Sequence, residues 1–596
     1  MKEVNYPKIG IRPVIDGRQG GVRESLEAQT MAMANAAKAL IEQALRYADG
    51  VPVQCVVASQ TIGGRADAEA VRREFLDKNV VATLTVTPCW CYGTETLDLD
   101  PMTIKAVWGF NGTERPGAVY LAAAMAAHAQ CGLPAFKIYG HDVQDANDAS
   151  IPDDVSEKIL SFARSAIAVG QMRGQAYVNL GACAMGIAGS QVSVEFFQKY
   201  LGMSVEFVDM TEILRRMALH IYDEQEVARA RAWIAAKCPE GVDINADRDL
   251  PKVITDSKVV PADQDWDFIA RQVVIIRDIL FGNPKLAEMG WLEEARGHNA
   301  IAGGFQGQRQ WTDWLPNGDF AEAILTSTFD WNGARRPTAF ATENDTLNGA
   351  SMLLGTLLTN TAPVFSDVRT YWSPEAVERV CGRRLDGRAK HGVLHLINSG
   401  ATALDASGAV LDDAGRSVMK PYWAMTEDDI DACLEATDWC RANYEYFRGG
   451  GFSSHFKTAG EMPLTMIRLN MVAGVGPTLQ IAEGYTCVLP DDIHRVLDDR
   501  TDKTWPTTWF APRLGAPGFE SVWDVMNHWG ANHGASVYGH VGADLITLAS
   551  MLRIPVSLHN VEDARLFRPS MVDGFGTKDL ESADLAYCQS MGPLYR

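Results

Sequence analysis

Two acidic residues follow short apolar runs, and their position gives them the clearest potential for chemistry. Glu343 comes after the run Ala339–Ala341, and Asp367 comes after Val364–Phe365, with an apolar helical segment between the two runs. Ligands of open α/β sheets bind beyond the carboxyl ends of the strands. Two carboxylates at such an edge can hold a divalent cation or transfer protons. The alternative is structural, because acids also cap helices and strands.

A histidine would complete a metal site of this kind. Two carboxylates and one imidazole shift the preference from Mg²⁺ toward Mn²⁺, Co²⁺ or Fe²⁺. Three of the twelve histidines, His141, His533 and His540, are candidates, and each lies beside a glycine, which lets the backbone approach a bound group closely. By sequence alone, a hydrogen-bonded structural role is the more common one for each of them.

The composition restricts the classes of partner. The formal net charge of -21 disfavours a nucleic-acid or anionic-membrane surface. The chain contains no run of about 18 apolar residues and no apolar signal core near its start, so we expect neither a membrane span nor export. Eleven cysteines without a regular framework predict reduced thiols in the cytoplasm. The run Cys89-Trp90-Cys91 lacks the CxxC spacing of zinc and redox motifs.

The order of the predicted elements gives the fold class. A chain of 596 residues is too long for one core. Strands and helices alternate up to a boundary near residue 172 and resume beyond it, which predicts parallel sheets covered by helices. A glycine-rich loop, 181–189, lacks the GxGxxG spacing of a dinucleotide site.

The pattern changes after about residue 373. Val393–Ile397 is predicted to form a hairpin with Ala409–Leu411, and Leu464–Val472 and Thr478–Ala482 read as antiparallel strands. The last third of the chain is therefore predicted to be an α+β or barrel-like module.

Nine runs spread over the whole chain resemble the L-fucose isomerase family. They are KIGIRPVIDGR from Lys8, TPCWCYG from Thr87, WGFNGTERPGAVYLAAA from Trp108, GFQGQR from Gly304, ATEND from Ala341, DVRTYWSPEA from Asp367, YFRGGG from Tyr446, TWPTTWFAPRL from Thr504 and WGANHG from Trp529.

The resemblance implies a fold of three domains. They are two Rossmann-like α/β domains without nucleotide, at residues 1–172 and 173–355, and a C-terminal β-rich α+β domain at residues 356–596. It also implies an aldose–ketose isomerase that converts L-fucose to L-fuculose and D-arabinose to D-ribulose with one Mn²⁺ per subunit. A homohexamer with active sites at subunit contacts is expected.

The resemblance also assigns roles to residues. Glu343, Asp367 and His533 are expected to bind the metal, and the two carboxylates are also expected to transfer protons. Substrate contacts are expected from Arg18, Trp90, Gln306, Ser399, Tyr446 and Asn532, with Trp90 contributed by a neighbouring subunit. Two alternatives remain open: an isomerase that prefers another aldose such as L-arabinose, and a sugar-binding protein without catalysis.

Overall fold

A parallel sheet of five strands forms the first part of the chain. The computed structural model describes residues 5–146, 148, 150–191, 193–246 and 248–595. The strand order is β2-β1-β3-β4-β5, a doubly wound order. Its elements are β1 (Lys8–Pro13), α1 (Val22–Ala44), β2 (Cys55–Val57), α2 (Arg65–Leu76), β3 (Val80–Thr87), β4 (Ile104–Gly109), α3 (Gly117–Gln130), β5 (Ala135–Tyr139) and α4 (Asp153–Met172).

A second parallel sheet, in the order β11-β8-β6-β7, follows. Helices predominate between its strands. The elements are β6 (Ala176–Leu180), α5 (Val194–Phe196), β7 (Ser204–Val208), α6 (Thr211–Ala218), α7 (Glu224–Lys237), α8 (Lys252–Thr255), α9 (Asp265–Phe281), α10 (Pro284–Glu288), β8 (Ala300–Phe305), α11 (Asp319–Thr326), β9 (Phe329–Asp330), β10 (Gly333–Ala334), β11 (Ala339–Ala341) and α12 (Thr346–Thr359).

The last part of the chain contains a closed antiparallel barrel. Six strands pair in the order β16-β19-β12-β13-β18-β17, and β17 returns to pair with β16, while β20 adds in parallel to β17. The elements are β12 (Val364–Trp372), α13 (Pro374–Cys381), β13 (Val393–Ile397), α14 (Glu427–Glu435), β14 (Asp438–Arg441), β15 (Phe452–His455), β16 (Pro463–Val472), β17 (Gly476–Cys487), α15 (Asp491–Asp498), β18 (Thr507–Pro512), α16 (Val522–His528), β19 (His533–Tyr538), α17 (Gly542–Leu552), β20 (Val556–Leu558), α18 (Ser570–Asp573) and α19 (Leu580–Met591).

The predicted fold class is confirmed, and three local predictions were wrong. Asp367 was expected just after the end of a short strand, but it lies inside the strand β12, which continues to Trp372. Strand β4 was missed, because its six residues include a lysine, Lys105, that is nevertheless buried. The hairpin between Val393–Ile397 and Ala409–Leu411 does not form. Strand β13 pairs instead with β12 and β18, and Leu411 makes only an isolated bridge to Ser417. Partners distant in sequence outcompeted the nearby one.

Helix α12 connects the second sheet to the barrel. It packs against β8 and β11 on one side and against β16 and β19 on the other. Its residues Thr346–Leu358 are all buried, so it is an interior helix shared by the second sheet and the barrel. The division of the chain at residue 355 lies inside this helix and stays a prediction. Within the described residues, no helix has the length and apolarity needed to cross a membrane.

Candidate active site

The register of two barrel strands brings Asp367 and His533 together. Strands β12 and β19 are antiparallel, and Asp367 lies directly opposite His533. The amide of Val368 donates to the carbonyl of Asn532 over 2.8 Å, which fixes this register. Opposite residues of an antiparallel pair project to the same face of the sheet. Accordingly, His533 Nε2 lies 3.4 Å from Asp367 Oδ1.

Glu343 reaches the same imidazole from the second sheet. It occupies a tight turn after β11, where its own φ is 55° and that of Asn344 is 50°. Such left-handed conformations cost non-glycine residues about 1–3 kcal/mol and persist only where the surroundings impose them. Asn398, at the end of β13, donates to Thr342 Oγ1 over 3.1 Å and so ties the turn to the barrel. Glu343 Oε2 lies 3.3 Å from His533 Nε2.

The other nitrogen of the imidazole is held by a buried acid. His533 Nδ1 lies 2.6 Å from Asp345 Oδ2, and the same oxygen accepts from Arg468 Nη1 over 2.6 Å. The side chains of Asp345 and Arg468 are fully buried. Asn532 Nδ2 lies 2.9 Å from His533 Nε2. The ring is therefore fixed at both nitrogens, with Nε2 facing the two carboxylates.

The charges at this centre shift one another's pKa values. Burial and the neighbouring charge of Glu343 together raise the pKa of Asp367 to about 6, against the opposing charge of His533. Burial disfavours the imidazolium of His533, but hydrogen bonds to Asp345 and Glu343 outweigh it and raise its pKa to about 10. Burial opposes ionisation of Asp345 as well, yet Arg468 and His533 hold its pKa well below the usual range.

Two more buried acids lie behind Glu343 on helix α11. Asp319 accepts from Ser453 Oγ over 2.7 Å, and Glu322 is buried one turn further along the helix. Burial raises the pKa of both carboxyls well above their usual values, and the charge of Glu343 adds to this effect. Sequence reasoning missed both residues, although acids three apart in the apolar helix DFAEAILT were a usable signal.

Three of the predicted substrate contacts lie near this centre. Gly304 of β8 pairs with Ala341 of β11, and Gln306 and Glu343 each lie two residues beyond their own strand's member of this pair. Gln306 Oε1 accepts a hydrogen bond from the amide of Ala182. Ser399 lies two residues beyond the partner of Asp367 on β13 and is buried.

The third, Tyr446, is linked to the centre by contacts through two other side chains, Trp505 and Arg369. Its ring lies 5.8 Å from that of Trp505, and Arg369 is stacked over Trp505 while its Nη1 lies 3.3 Å from Asp367 Oδ2. Arg369 and Trp505 were not singled out from the sequence.

Arg18 and Trp90 lie elsewhere, at the carboxyl edge of the first sheet. The guanidinium of Arg18 pairs with the buried Asp16 and is more than half exposed. Trp90 is 40% exposed, although the cysteines on both sides of it are buried. The structure therefore brings together Glu343, Asp367, His533 and Asn532, with Gln306, Ser399 and Tyr446 close by. It leaves Arg18 and Trp90 on a separate exposed surface.

The remaining candidate histidines serve other purposes. His540 Nε2 lies 2.9 Å from the carbonyl of Gly484, and the exposed His141 faces Asp142. Asp345 and Arg468 were missed by sequence reasoning. An arginine inside the apolar strand LTMIRLNMV was a signal for a buried acidic partner.

The donor set fits a divalent cation. Among the described residues, no three His, Cys, Asp or Glu side chains are already spaced as a metal centre. Yet His533 Nε2 lies within 3.4 Å of both carboxylates, and adjacent ligands of an octahedral ion with bonds of about 2.1 Å lie about 3.0 Å apart. Oxygen ligands with one imidazole suit Mn²⁺. Binding would displace the proton on Nε2.

Comparison with known proteins covers nearly the full length of the chain. Family models described as the first N-terminal, second N-terminal and C-terminal domains of L-fucose isomerase match residues 6–174, 175–360 and 396–560. A protein named L-fucose isomerase from Clostridium perfringens is 71% identical over 99% of both chains. Proteins of the same name from Streptococcus pneumoniae and Bacteroides fragilis are each 59% identical, over 99–100% of both chains.

The raised pKa of His533 predicts a pH dependence of stability. Folding raises this pKa from about 6.5 in the unfolded chain to about 10. The stabilisation is full below pH 6.5 and is lost as pH rises through 10. We expect the melting temperature of the metal-free protein to fall more steeply between pH 6.5 and 10 than that of His533→Gln. His540→Gln, which loses one hydrogen bond, is the control and keeps the wild-type slope. Equal slopes for wild type and His533→Gln would contradict the assignment.

Proposed function

The chain belongs to the L-fucose isomerase family, a family of aldose–ketose isomerases, and we propose that it converts L-fucose to L-fuculose, and D-arabinose to D-ribulose, at the Glu343–Asp367–His533 centre. The observation that carries this proposal is the convergence of two carboxylates from different bodies of the fold on one imidazole nitrogen. His533 Nε2 lies 3.3 Å from Glu343 and 3.4 Å from Asp367. Packing alone does not account for two carboxylates and an imidazole in contact in the interior, whereas metal binding and proton transfer do.

The reaction needs two groups that move protons. Isomerisation transfers one proton between C2 and C1 of the sugar and redistributes protons between O1 and O2. One carboxylate removes the C2 proton, leaving a cis-enediol, and returns the proton at C1, while the other serves the hydroxyl groups. Glu343 and Asp367 suit these tasks because both carboxylates lie within 3.4 Å of the same nitrogen, His533 Nε2. The side chain of Asp367 is 22% exposed, so the sugar approaches from its side.

We propose Mn²⁺ as the cofactor, held by Glu343, Asp367 and His533 Nε2. When bound, such a cation acts as a Lewis acid that withdraws charge from the sugar oxygens and lowers the barrier by several kcal/mol. The chain's own contribution is to hold the three side chains in place. Asn532, Gln306, Ser399 and Tyr446 supply amide and hydroxyl groups that bind sugar hydroxyls and fix which carbon faces the carboxylates.

Arg18 and Trp90 support an assembly in which subunits complete one another's sites. Both lie on an exposed surface at the carboxyl edge of the first sheet. In the proposed hexamer, Trp90 of a neighbouring subunit offers its apolar face to the C6 methyl group of L-fucose. A cytoplasmic location is supported by the eleven cysteines, which are all free thiols.

Removing either carboxylate tests the proton transfer. We expect Glu343→Gln and Asp367→Asn each to lower kcat for L-fucose by about 10²- to 10⁴-fold, because each removes one acid–base group. L-Fuculose formed in D₂O by the wild type carries deuterium at C1 to the extent that the proton on the carboxylate exchanges with solvent before it is returned. The control is Asp492→Asn, an exposed acid that pairs with Arg383. Near-normal turnover in either site variant would show that these carboxylates do not perform the transfer.

Removal of the metal tests the cofactor. Dialysis against a chelator abolishes isomerisation, and Mn²⁺ restores it at about one equivalent per subunit, because the carbonyl is otherwise not polarised. Metal content and activity are measured on the same samples. An enzyme that keeps its full activity with no stoichiometric metal would rule out the cofactor and leave the acid–base residues to be judged separately.

The role of Trp90 is tested by comparing two sugars. D-Arabinose lacks the methyl group of L-fucose, and one such group is worth about 1–3 kcal/mol in an apolar contact. Trp90→Ala should therefore reduce kcat/KM for L-fucose about tenfold more than for D-arabinose. Trp523→Ala, which removes another half-exposed tryptophan, is the control and changes kcat/KM for neither sugar. If both sugars lose equally, Trp90 does not read the methyl group. A higher kcat/KM for L-arabinose than for either sugar would reassign the substrate.

A further inference from the structure

Asp345 makes more contacts than its place in the fold requires. It is the N-terminal cap of helix α12, where Oδ1 accepts from the amide of Asn348 over 3.0 Å. Its second oxygen, Oδ2, accepts from both His533 Nδ1 and Arg468 Nη1, each at 2.6 Å. A cap needs only one oxygen, and serine, threonine or asparagine supplies it as well. The second oxygen therefore has a purpose other than starting the helix.

Arg468 is an unusual partner to bury for stability alone. It is the only charged residue of strand β16, and its side chain is fully buried, as is that of Asp345. Its Nη2 also donates to the carbonyl of Gly189 over 2.9 Å. Buried ion pairs gain little net stability over apolar residues of the same volume, because both charges lose their hydration. The pair is better explained by what it does to His533.

We propose that Asp345 is a positioning residue that fixes the tautomer and the direction of His533, with Arg468 holding Asp345 in place. An ionised carboxylate only accepts hydrogen bonds, so Nδ1 of the imidazole must carry the proton that it shares with Asp345. The lone pair of a neutral His533 then lies on Nε2, directed at Glu343 and Asp367. This inference rests on the proposed function, since it concerns the cation held at Nε2.

The geometry makes this control specific. His533 has two nitrogens, and a cation can bind only the one that carries no proton. Without an acceptor at Nδ1, the proton can occupy either nitrogen and the ring can turn about its side-chain bonds. Acceptors behind ligating histidines remove both freedoms, and their loss lowers metal affinity about 10- to 100-fold. In this protein the acceptor belongs to the second sheet's helix, whereas the histidine belongs to the barrel.

Replacing Asp345 while keeping the cap separates the two roles. Asp345→Ser still caps α12 but is too short to reach His533. We expect the dissociation constant for Mn²⁺, measured by calorimetry on the metal-free full-length protein, to rise about 10- to 100-fold. Asp345→Asn has a single side-chain oxygen, which can accept from Nδ1 only by giving up the cap, so its affinity lies between those of the wild type and Asp345→Ser. The melting temperature of each metal-free variant is measured in parallel.

The matched control is Glu483→Ala. Glu483 is another fully buried carboxylate of the barrel, and it pairs with Arg513 and Arg565. Its loss lowers the melting temperature but leaves the Mn²⁺ affinity unchanged. Wild-type affinity in Asp345→Ser, or an equal loss in Glu483→Ala, would overturn the positioning role. If Asp345→Ser does not fold, wild-type affinity in Asp345→Asn overturns it. A wild type that binds no Mn²⁺ would instead refute the proposed cofactor.

Discussion

The arrangement of the site depends on one buried oxygen, Oδ2 of Asp345, which accepts from both His533 and Arg468. The charges involved have no access to water, so each must be satisfied by another. Asp345 begins the helix that follows the second sheet, whereas His533 and Arg468 lie on barrel strands. A single carboxylate oxygen therefore connects the second sheet to the barrel and sets the direction in which the imidazole faces.

One of the two carboxylates is positioned by a regular strand and the other by an irregular turn. Asp367 is carried by a barrel strand, and the register with β19 determines its neighbour. Glu343 is carried by a left-handed turn that a non-glycine residue adopts only under constraint. The constraint comes from both sides, because Asn398 of the barrel holds Thr342 and Asp345 caps the next helix. The strain is concentrated where a side chain must point out of the sheet edge.

Four acids are grouped around this centre. Burial raises the pKa values of Asp319, Glu322 and Asp367, and the nearby charge of Glu343 contributes to each of these shifts. The positive groups beside them are His533 and Arg369. Four acids grouped in the interior are costly unless positive charge is bound among them. This cost supports the proposal of a divalent cation at the centre.

The sequence by itself determined the alternation of strands and helices, the change to a β-rich module, and the position of Glu343 just after a strand, because periodicity and strand-end position are local properties. It placed Asp367 at a strand end too, whereas pairing with β13 and β19 continues β12 past this residue. Family-wide runs pointed to His533, which spacing alone left among three histidines. Tertiary structure decided the barrel closure through β16 and β17, the buried strand β4, and the pairing of Asp345 with Arg468. These features depend on register and on contacts between residues 123 or more positions apart in the case of Asp345. No local pattern encodes which distant partner a buried charge will meet.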